Sequence, residues 1–472
     1  MMLNLILRSV LVVAACLLAA DTGLAAVNDP LYEAVGSWGQ SYDDQWAVKR
    51  IGFTDSDDSA WSVETGASSS VIVAVIDTGV DYFHRDLARS TIWRNKAERE
   101  NGIDDDKNGY VDDLIGWNFV ENNNNPWDRA GHGTHVAGVI AAGTNNGGGI
   151  AGINRGARIM PLKVLNFMGR GRSAGIAEAI YYAVKHGARV INLSLGGAEI
   201  SAAEQRAIDH AFANNVLIVV AAGNEGVETA DYGPAASANV LTVGATGPDD
   251  QRQGFSNWGA SLDLVAPGID VLSLRARGSD FALVAGTEGY SPGDGFVGDT
   301  AGYYRASGTS FAAPLVTGVA SLLLARDPGL KVTDLMRMLT QSARDIDVPG
   351  IDQYTGYGLL DARAALSISP EFFLEVAIAG VEVVQKGGKP ALKIIGSLDA
   401  DQLDEAWIEI GEGENPKKWK KVSRTIKTKI ENDGLDELAV NEFAGATSWT
   451  LRLIGKHKNG KQREARYVLE LG

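Results

Sequence analysis

The chain has 472 residues, of which 45% are hydrophobic and 22% charged, enough to bury a large core and too apolar for a disordered or fibrous protein. Its net charge of −16 argues against a nucleic-acid or anionic-membrane partner, which would need clustered cations, and favours bound cations instead. The length suits two or three domains, and 56 glycines without a collagen period signal many tight turns and close backbone approaches.

At the N-terminus a lone Arg8, an apolar run over 10–20 and Ala25-Ala26 read as a signal peptide over 1–26, so the protein is expected to be secreted or periplasmic with a mature start close to Asp29. Val13-Ala14-Ala15-Cys16 offers a second reading, a lipidation box that would anchor the chain through Cys16. The apolar run is shorter than the ~20 residues a spanning helix needs, and no other stretch reads as a membrane span. Cys16 is the one cysteine, so the mature chain is expected to carry no disulfide and to depend on packing and metal for stability.

Over 71–365, apolar strand-like runs at 71–76, 159–165, 190–195 and 216–222 alternate with helical spacing at 173–186 and 201–214. Such a pattern predicts an α/β fold, a mostly parallel central sheet with helices on both faces. Function in such sheets gathers at the carboxyl ends of the strands, and Asp77 and Asn224 both stand just after strand runs. From about 370 the texture changes to short alternating segments at 392–395, 407–410 and 448–454 with turns such as Lys458-Asn459-Gly460, which predicts a small all-β sandwich. The expected division is a signal peptide over 1–26, an α/β domain over 27–369 and a fibronectin- or immunoglobulin-like sandwich over 370–472.

Four short segments carry chemistry. Val75-Ile76-Asp77-Thr78-Gly79 puts a carboxylate at the end of a buried strand. Gly131-His132-Gly133-Thr134-His135 puts a histidine at a helix start, and Ala222-Gly223-Asn224-Glu225 an amide on a loop after a strand. Ser307-Gly308-Thr309-Ser310-Phe311-Ala312-Ala313-Pro314 puts a serine before an apolar helix. A serine hydroxyl is a poor nucleophile at neutral pH, so Ser310 needs a general base, for which His132 is the candidate, with Asp77 to hold its tautomer and stabilise the imidazolium. Helix N–H groups near Ser310 and the Asn224 amide would face a developing oxyanion. His135 invites a zinc reading with His132, but there is no H-E-x-x-H and no third ligand at a suggestive spacing.

With all four motifs in the order Asp, His, Ser, the chain resembles the subtilisin-like serine peptidases over about 28–366. The resemblance implies a peptidase domain over 27–369, a protein or peptide substrate, and a cleft bordered by Gly169-Arg170-Gly171 and Ser194-Leu195-Gly196-Gly197, whose backbones would pair with an extended peptide. Tyr232 falls near the segment that forms the pocket floor in relatives, where it would shorten the pocket; no preferred side chain is readable. Many relatives carry a propeptide of about 70 residues, for which a start near Asp29 leaves no room. The stretch 278–305 reads as a long Gly-rich loop, either a gate over the cleft or an insertion.

Asp104, Asp106 and Asn108 stand at positions 1, 3 and 5 of a calcium-loop pattern, with Gly109 at 6 and Tyr110 at 7. An EF-hand would need Glu where Ile115 stands, so that full pattern fails and Asp112 or Asp113 is expected to close the site; a solvated acidic loop is the alternative. Resemblance to thermitase-like members implies a second calcium, held by the carboxylates of Asp29 and Asp86, the Asn146 side chain and the carbonyls of Gly143, Gly148 and Ile150. The expected function is an exported, calcium-stabilised serine endopeptidase acting through an acyl-enzyme on Ser310. The alternatives are a processing peptidase dedicated to one partner protein and an inactive scaffold displaying its sandwich; oligomeric state is not readable.

Overall fold

The computed structural model describes residues 27–470 except 89, 198, 280–294 and 299–301. The leader, Cys16 and most of the Gly-rich stretch at 280–294 lie outside the described residues. Seven strands form the central parallel sheet: β1 (Ile72–Asp77), β2 (Trp117–Asn118), β3 (Arg158–Lys163), β4 (Val190–Leu193), β5 (Leu217–Ala221), β6 (Leu241–Thr246) and β7 (Leu264–Pro267), in the order β2-β3-β1-β4-β5-β6-β7. The helices are α1 (Pro30–Glu33), α2 (Trp46–Arg50), α3 (His132–Ala141), α4 (Ser173–Lys185), α5 (Ala202–Ala213), α6 (Thr309–Arg326), α7 (Val332–Ser342) and α8 (Ala362–Ser367).

Successive strand residues point to opposite faces, and here both faces are covered. Val73 and Val75 of β1 belong to the cluster that holds Val136 and Ile140 of α3 and Leu315 and Val319 of α6. Ala74 and Ile76, one residue out of step, pack with Ile176 and Ile180 of α4 and Ile208 of α5. A strand buried on both sides has no place for a polar alternation, which is why these runs read as continuous apolar sequence. Strand order turns back at β1, which lies between β3 and β4, so a crevice opens beyond the carboxyl ends of β1 and β4.

α6 is 18 residues long and apolar enough to cross a membrane by length and composition, a stretch that the sequence reading did not recognise. It is 83% buried, because it runs against β4, β5, β6, β7 and α3; a helix surrounded by protein on all sides is apolar all round. Within the stretch read as a loop, two short strands appear, β9 (Phe296–Val297) and β10 (Tyr303–Ala306), paired antiparallel in a small sheet with β8 (Val271–Leu274).

After α8 the chain turns to antiparallel sheets. β11 (Leu374–Lys386), β12 (Lys389–Ala400) and β15 (Ile430–Ala439) make one; β13 (Leu403–Glu412), β14 (Lys420–Lys421), β16 (Ser448–His457) and β17 (Gln462–Glu470) make the other. Ile394, Leu398, Ile408, Ile410, Leu451 and Leu453 fill the space between them. Arg463 of β17 ties this appendage to the α/β body: its Nη2 donates to Gln341 O at 3.1 Å and Thr340 O at 3.4 Å, carbonyls of the last turn of α7, and its guanidinium stacks over Tyr357.

Candidate active site

Asp77 ends β1 with its side chain fully buried, and His132 opens α3 with its side chain 16% exposed. The two meet because Gly133 has no side chain: a methyl there would lie 3.0 Å from Asp77 Cβ and against Gly79 O, so α3 could not approach the end of β1. His132 Nδ1 lies 2.8 Å from both Asp77 carboxylate oxygens. Burial disfavours protonation of His132, but the charge and hydrogen bond of Asp77, with a smaller push from Asp128, outweigh it and hold the pKa above the ordinary histidine value.

Asp128 is a residue the sequence reading missed. Gly131, the N-cap of α3, has no side chain to cap with, and Asp128 does so from a distance. Its Oδ1 accepts Ala130 N, Gly131 N and Thr78 Oγ1, while Oδ2 accepts Thr134 N and Thr134 Oγ1. Thr78 Oγ1 in turn accepts Gly133 N at 2.9 Å. The strand end carrying Asp77 and the helix start carrying His132 are therefore fastened to one buried carboxylate. The available signal was an Asp just ahead of a helix start, a common capping arrangement.

His135 points elsewhere. It is buried, its Nε2 donates to Val271 O (2.9 Å) and Tyr304 O (3.0 Å), and burial, with the neighbouring His132, lowers its pKa to about 3. It packs on Phe311 from one side while His132 meets the same ring at 5.3 Å, so the residue after Ser310 is wedged between the two imidazoles.

Ser310 is the second residue of α6, after an N-cap Gly308 with φ +147°, so its backbone N–H has no intrahelical acceptor. Its Oγ donates to Ser194 O at 3.2 Å, and the ring of the next residue, Phe311, lies 5.3 Å from that of His132. Asn224 Oδ1 accepts Thr309 N (2.8 Å) and Thr309 Oγ1 (3.0 Å), which leaves its Nδ2 as the outward-facing group. Thr309 thus sets the direction of the Asn224 amide, a role not read from the sequence.

Gly169, Gly171, Ser194, Leu195, Gly196 and His132 line one cavity of about 450 Å³. Gly169 N, Arg170 N and Arg170 O are engaged by Asn166 within a tight turn, and Arg170 is exposed. The two expected edges therefore face each other across the space beside His132.

The expected metal ligands fall into two places. Carboxylate oxygens of Asp104, Asp106 and Glu98 lie within 4.8 Å of one another. Asp112 and Asp113 lie outside this group of three, although Asp113 shares the amides of Asn95 and Asn108 with Asp106. Asp112 accepts Asn101 N and Gly102 N, and Asp113 is buried under Tyr182 OH, Asn95 Nδ2 and Asn108 Nδ2. Glu98 stands where Asp112 or Asp113 was expected; six residues ahead of Asp104, it falls outside any loop pattern. Asn108 Oδ1 accepts Tyr110 N within the loop while its Nδ2 reaches His186 Nε2 at 3.3 Å, and the Tyr110 ring packs on Trp117 and Tyr182.

At the second place, Asp29 accepts Asn145 N (2.8 Å) and Asn146 N (3.1 Å), and Asn146 Nδ2 donates to Asp86 Oδ1 at 2.8 Å. Ile150 N donates to Asp86 Oδ2 and Gly143 N to Asp86 O, so the loop from Gly143 past Gly148 to Ile150 wraps this pair. Both carboxylates are buried, and burial raises both pKa values, that of Asp86 to about 6.

The sequence model of the subtilase family matches residues 68–358. The chain is 37% identical over 322 residues to the cell wall-associated protease of Bacillus subtilis, covering 63% of this chain and 31% of that protein. It is 32% identical over 307 residues to thermitase of Thermoactinomyces vulgaris, covering 65% and 91%. A solved cold adapted subtilisin-like serine proteinase superposes with a TM-score of 0.52 at 28% identity, over 67% of this chain and 97% of that one. The chain thus spans less than a third of the first of these relatives and nearly all of the other two. With a family match over most of the α/β body and the Asp77–His132 pair beside the Ser310 turn, the chain belongs to the subtilase family.

Proposed function

We propose that this chain is an exported serine endopeptidase, stabilised by calcium, that hydrolyses peptide bonds through an acyl-enzyme on Ser310. The observation that carries the reading is the hydrogen bond of His132 Nδ1 to Asp77 at 2.8 Å, which leaves Nε2 as the basic nitrogen on the side of the cavity. In the reaction, Ser310 Oγ attacks the scissile carbonyl carbon while His132 Nε2 takes its proton. Asp77 stabilises the imidazolium without itself becoming protonated. The oxyanion receives hydrogen bonds from Ser310 N–H, aided by the N-terminus of α6, and from Asn224 Nδ2. The proton on His132 then passes to the leaving amine, the C–N bond breaks, and water activated by the same imidazole releases the acid.

Support for calcium comes from the donor sets. Asp29 and Asp86 are two buried carboxylates side by side, whose pKa values burial raises with only partial offset by N–H donors; hard oxygens from these residues, Asn146 and the carbonyls of Gly143, Gly148 and Ile150 suit calcium. Asp104, Asp106 and Glu98 would hold a second ion, which the solvated-loop alternative does without. Export rests on the leader pattern over 1–26.

The test is labelling of calcium-loaded protein with a fluorophosphonate, followed by mass spectrometry of the labelled peptide. Label on Ser310, lost together with proteolysis in Ser310→Ala, is the expected result. Proteolysis that survives Ser310→Ala would remove Ser310 from the reaction, and folded protein that neither labels nor cleaves would favour the inactive scaffold.

A further inference from the structure

Two backbone segments bracket the nucleophile: Ser194 O lies 3.2 Å from Ser310 Oγ, and Asn224 holds Thr309 N from the other side. An acyl group with its carbonyl carbon at Ser310 Oγ and its oxygen at Asn224 Nδ2 has the preceding peptide along 194–196 and His132 over the leaving group. The side chain next to the scissile carbonyl is left with one direction, the gap between 194–196 and 222–224.

Tyr232 occupies that gap. A methyl on Gly196 would sit 2.5 Å from Tyr232 Cε1, and one on Gly223 would sit 2.7 Å from the same atom. The ring therefore touches both walls at points where only glycine leaves it room. Its hydroxyl donates to Glu225 Oε1 at 3.2 Å, while Glu225 Oε2 accepts Asn224 N (2.8 Å) and Asn257 Nδ2 (3.0 Å). The backbone is tied as well, with Tyr232 N donating to Thr229 O and Gly197 N to Gly233 O. Held at both ends, the ring is a fixed plug.

We propose that Tyr232 determines specificity by restricting the residue before the scissile bond to glycine, alanine or serine, an inference that rests on the endopeptidase reading. A leucine or phenylalanine there would have to expel the ring and break its bond to Glu225, whereas alanine displaces nothing. Affinity then comes from residues further upstream, through backbone pairing along 194–196 and the cavity wall of Leu165, Ile176, Leu195 and Ile200.

The experiment compares kcat/KM for peptides that differ only in Ala, Leu or Phe before the scissile bond. It uses the full chain, Tyr232→Gly and Tyr232→Phe, each normalised by fluorophosphonate titration of Ser310. Rejection by a single misfitting methylene runs to roughly 10–200-fold, so the unaltered chain is expected to prefer Ala over Phe by about 100-fold or more. Tyr232→Gly should collapse that ratio, and Tyr232→Phe, which keeps the ring and loses the hydroxyl, should retain most of it. Equal cleavage of the Ala and Phe peptides by the unaltered, titrated enzyme overturns the inference whether or not Tyr232→Gly folds, as does a titrating Tyr232→Gly with an unchanged ratio. Failure of the unaltered chain to titrate at Ser310 would instead overturn the peptidase reading beneath it.

Discussion

The hydroxyl of Ser194 donates to the carbonyl of Ser310 at 2.7 Å, filling a bond that α6 cannot make for itself. The residue four positions on is Pro314, which has no N–H to give. Ser194 is in turn held by Asn192 Nδ2 at 2.8 Å, and Asn192 Oδ1 accepts Thr317 Oγ1 at 2.8 Å. A buried polar chain thus runs from one turn of α6 through the end of β4 back to the nucleophile's own peptide group. Replacing Ser194 by Ala leaves a buried carbonyl without a donor, at a cost of about 1–3 kcal/mol. The expected outcome is a lower melting temperature with a several-fold loss in kcat and little change in KM, measured by thermal unfolding and peptide kinetics. Unchanged kcat would mean that Ser194 does not position the nucleophile.

His132 must be neutral to act as base, and Asp77 holds its pKa above the ordinary value of 6.5 despite burial. Activity in the form of kcat/KM should therefore rise with pH through a midpoint above 6.5. The stability contribution has the opposite slope: it is fully present below the unfolded histidine pKa and fades as pH rises through the folded one. Asp77→Asn should lower kcat by about 10⁴, the effect of such a change in serine peptidases generally, and move the midpoint down. A midpoint unmoved by Asp77→Asn would contradict the electrostatic role.

The Asp29–Asp86 pair gives the calcium reading a signature in both directions of pH. Excess chelator should lower the melting temperature of calcium-loaded protein, since a ligand bound by the native state alone stabilises it by mass action. In chelator, burial holds the pKa of Asp86 at about 6, above the ordinary aspartate value of 3.8. Its contribution is then present at low pH and lost as pH rises from about 4 to 6. The difference in melting temperature between the unaltered chain and Asp86→Asn, followed in chelator, should shift against the unaltered chain across that window. A melting curve indifferent to chelator would speak against a structural cation there, and a difference independent of pH against the raised pKa of Asp86.

Arg463→Ala removes the donor to Gln341 O at the end of α7, while Thr340 O keeps its bond from Ala343 N at 3.2 Å. A buried acceptor left without a partner costs about 1–3 kcal/mol, so calorimetry should show a lower transition for the appendage, separating from that of the α/β body. Labelling of Ser310 at room temperature should be unaffected, because the partners of Arg463, Thr340, Gln341 and Tyr357, are none of the residues around the nucleophile. A single unchanged transition would show that the appendage docks by other means.

Much of the site was legible from neighbours in the sequence. Each of Asp77, His132, Asn224 and Ser310 sits at a strand end or helix start within a segment of a few residues, where backbone conformation is set by short-range sterics and hydrogen bonding. The residues that went unread act across long separations. Asp128 serves α3 and β1 together, Glu98 joins a loop from outside its pattern, and α6 looks like a membrane span until its surroundings are known.

Local pattern in the chain was thus enough to place four of the seven parallel strands, β1, β3, β4 and β5, to mark where the antiparallel sheets begin, and to single out the segments with the order of serine-peptidase motifs, because apolar periodicity and glycine-bounded turns are properties of adjacent residues. Only the tertiary structure decided where those side chains point. It set Glu98 beside Asp104 and Asp106, and it laid the Tyr232 ring against Gly196 and Gly223. Side-chain direction depends on which distant backbone leaves room and which distant group supplies a hydrogen bond, and both are set by packing of the whole sheet and its helices.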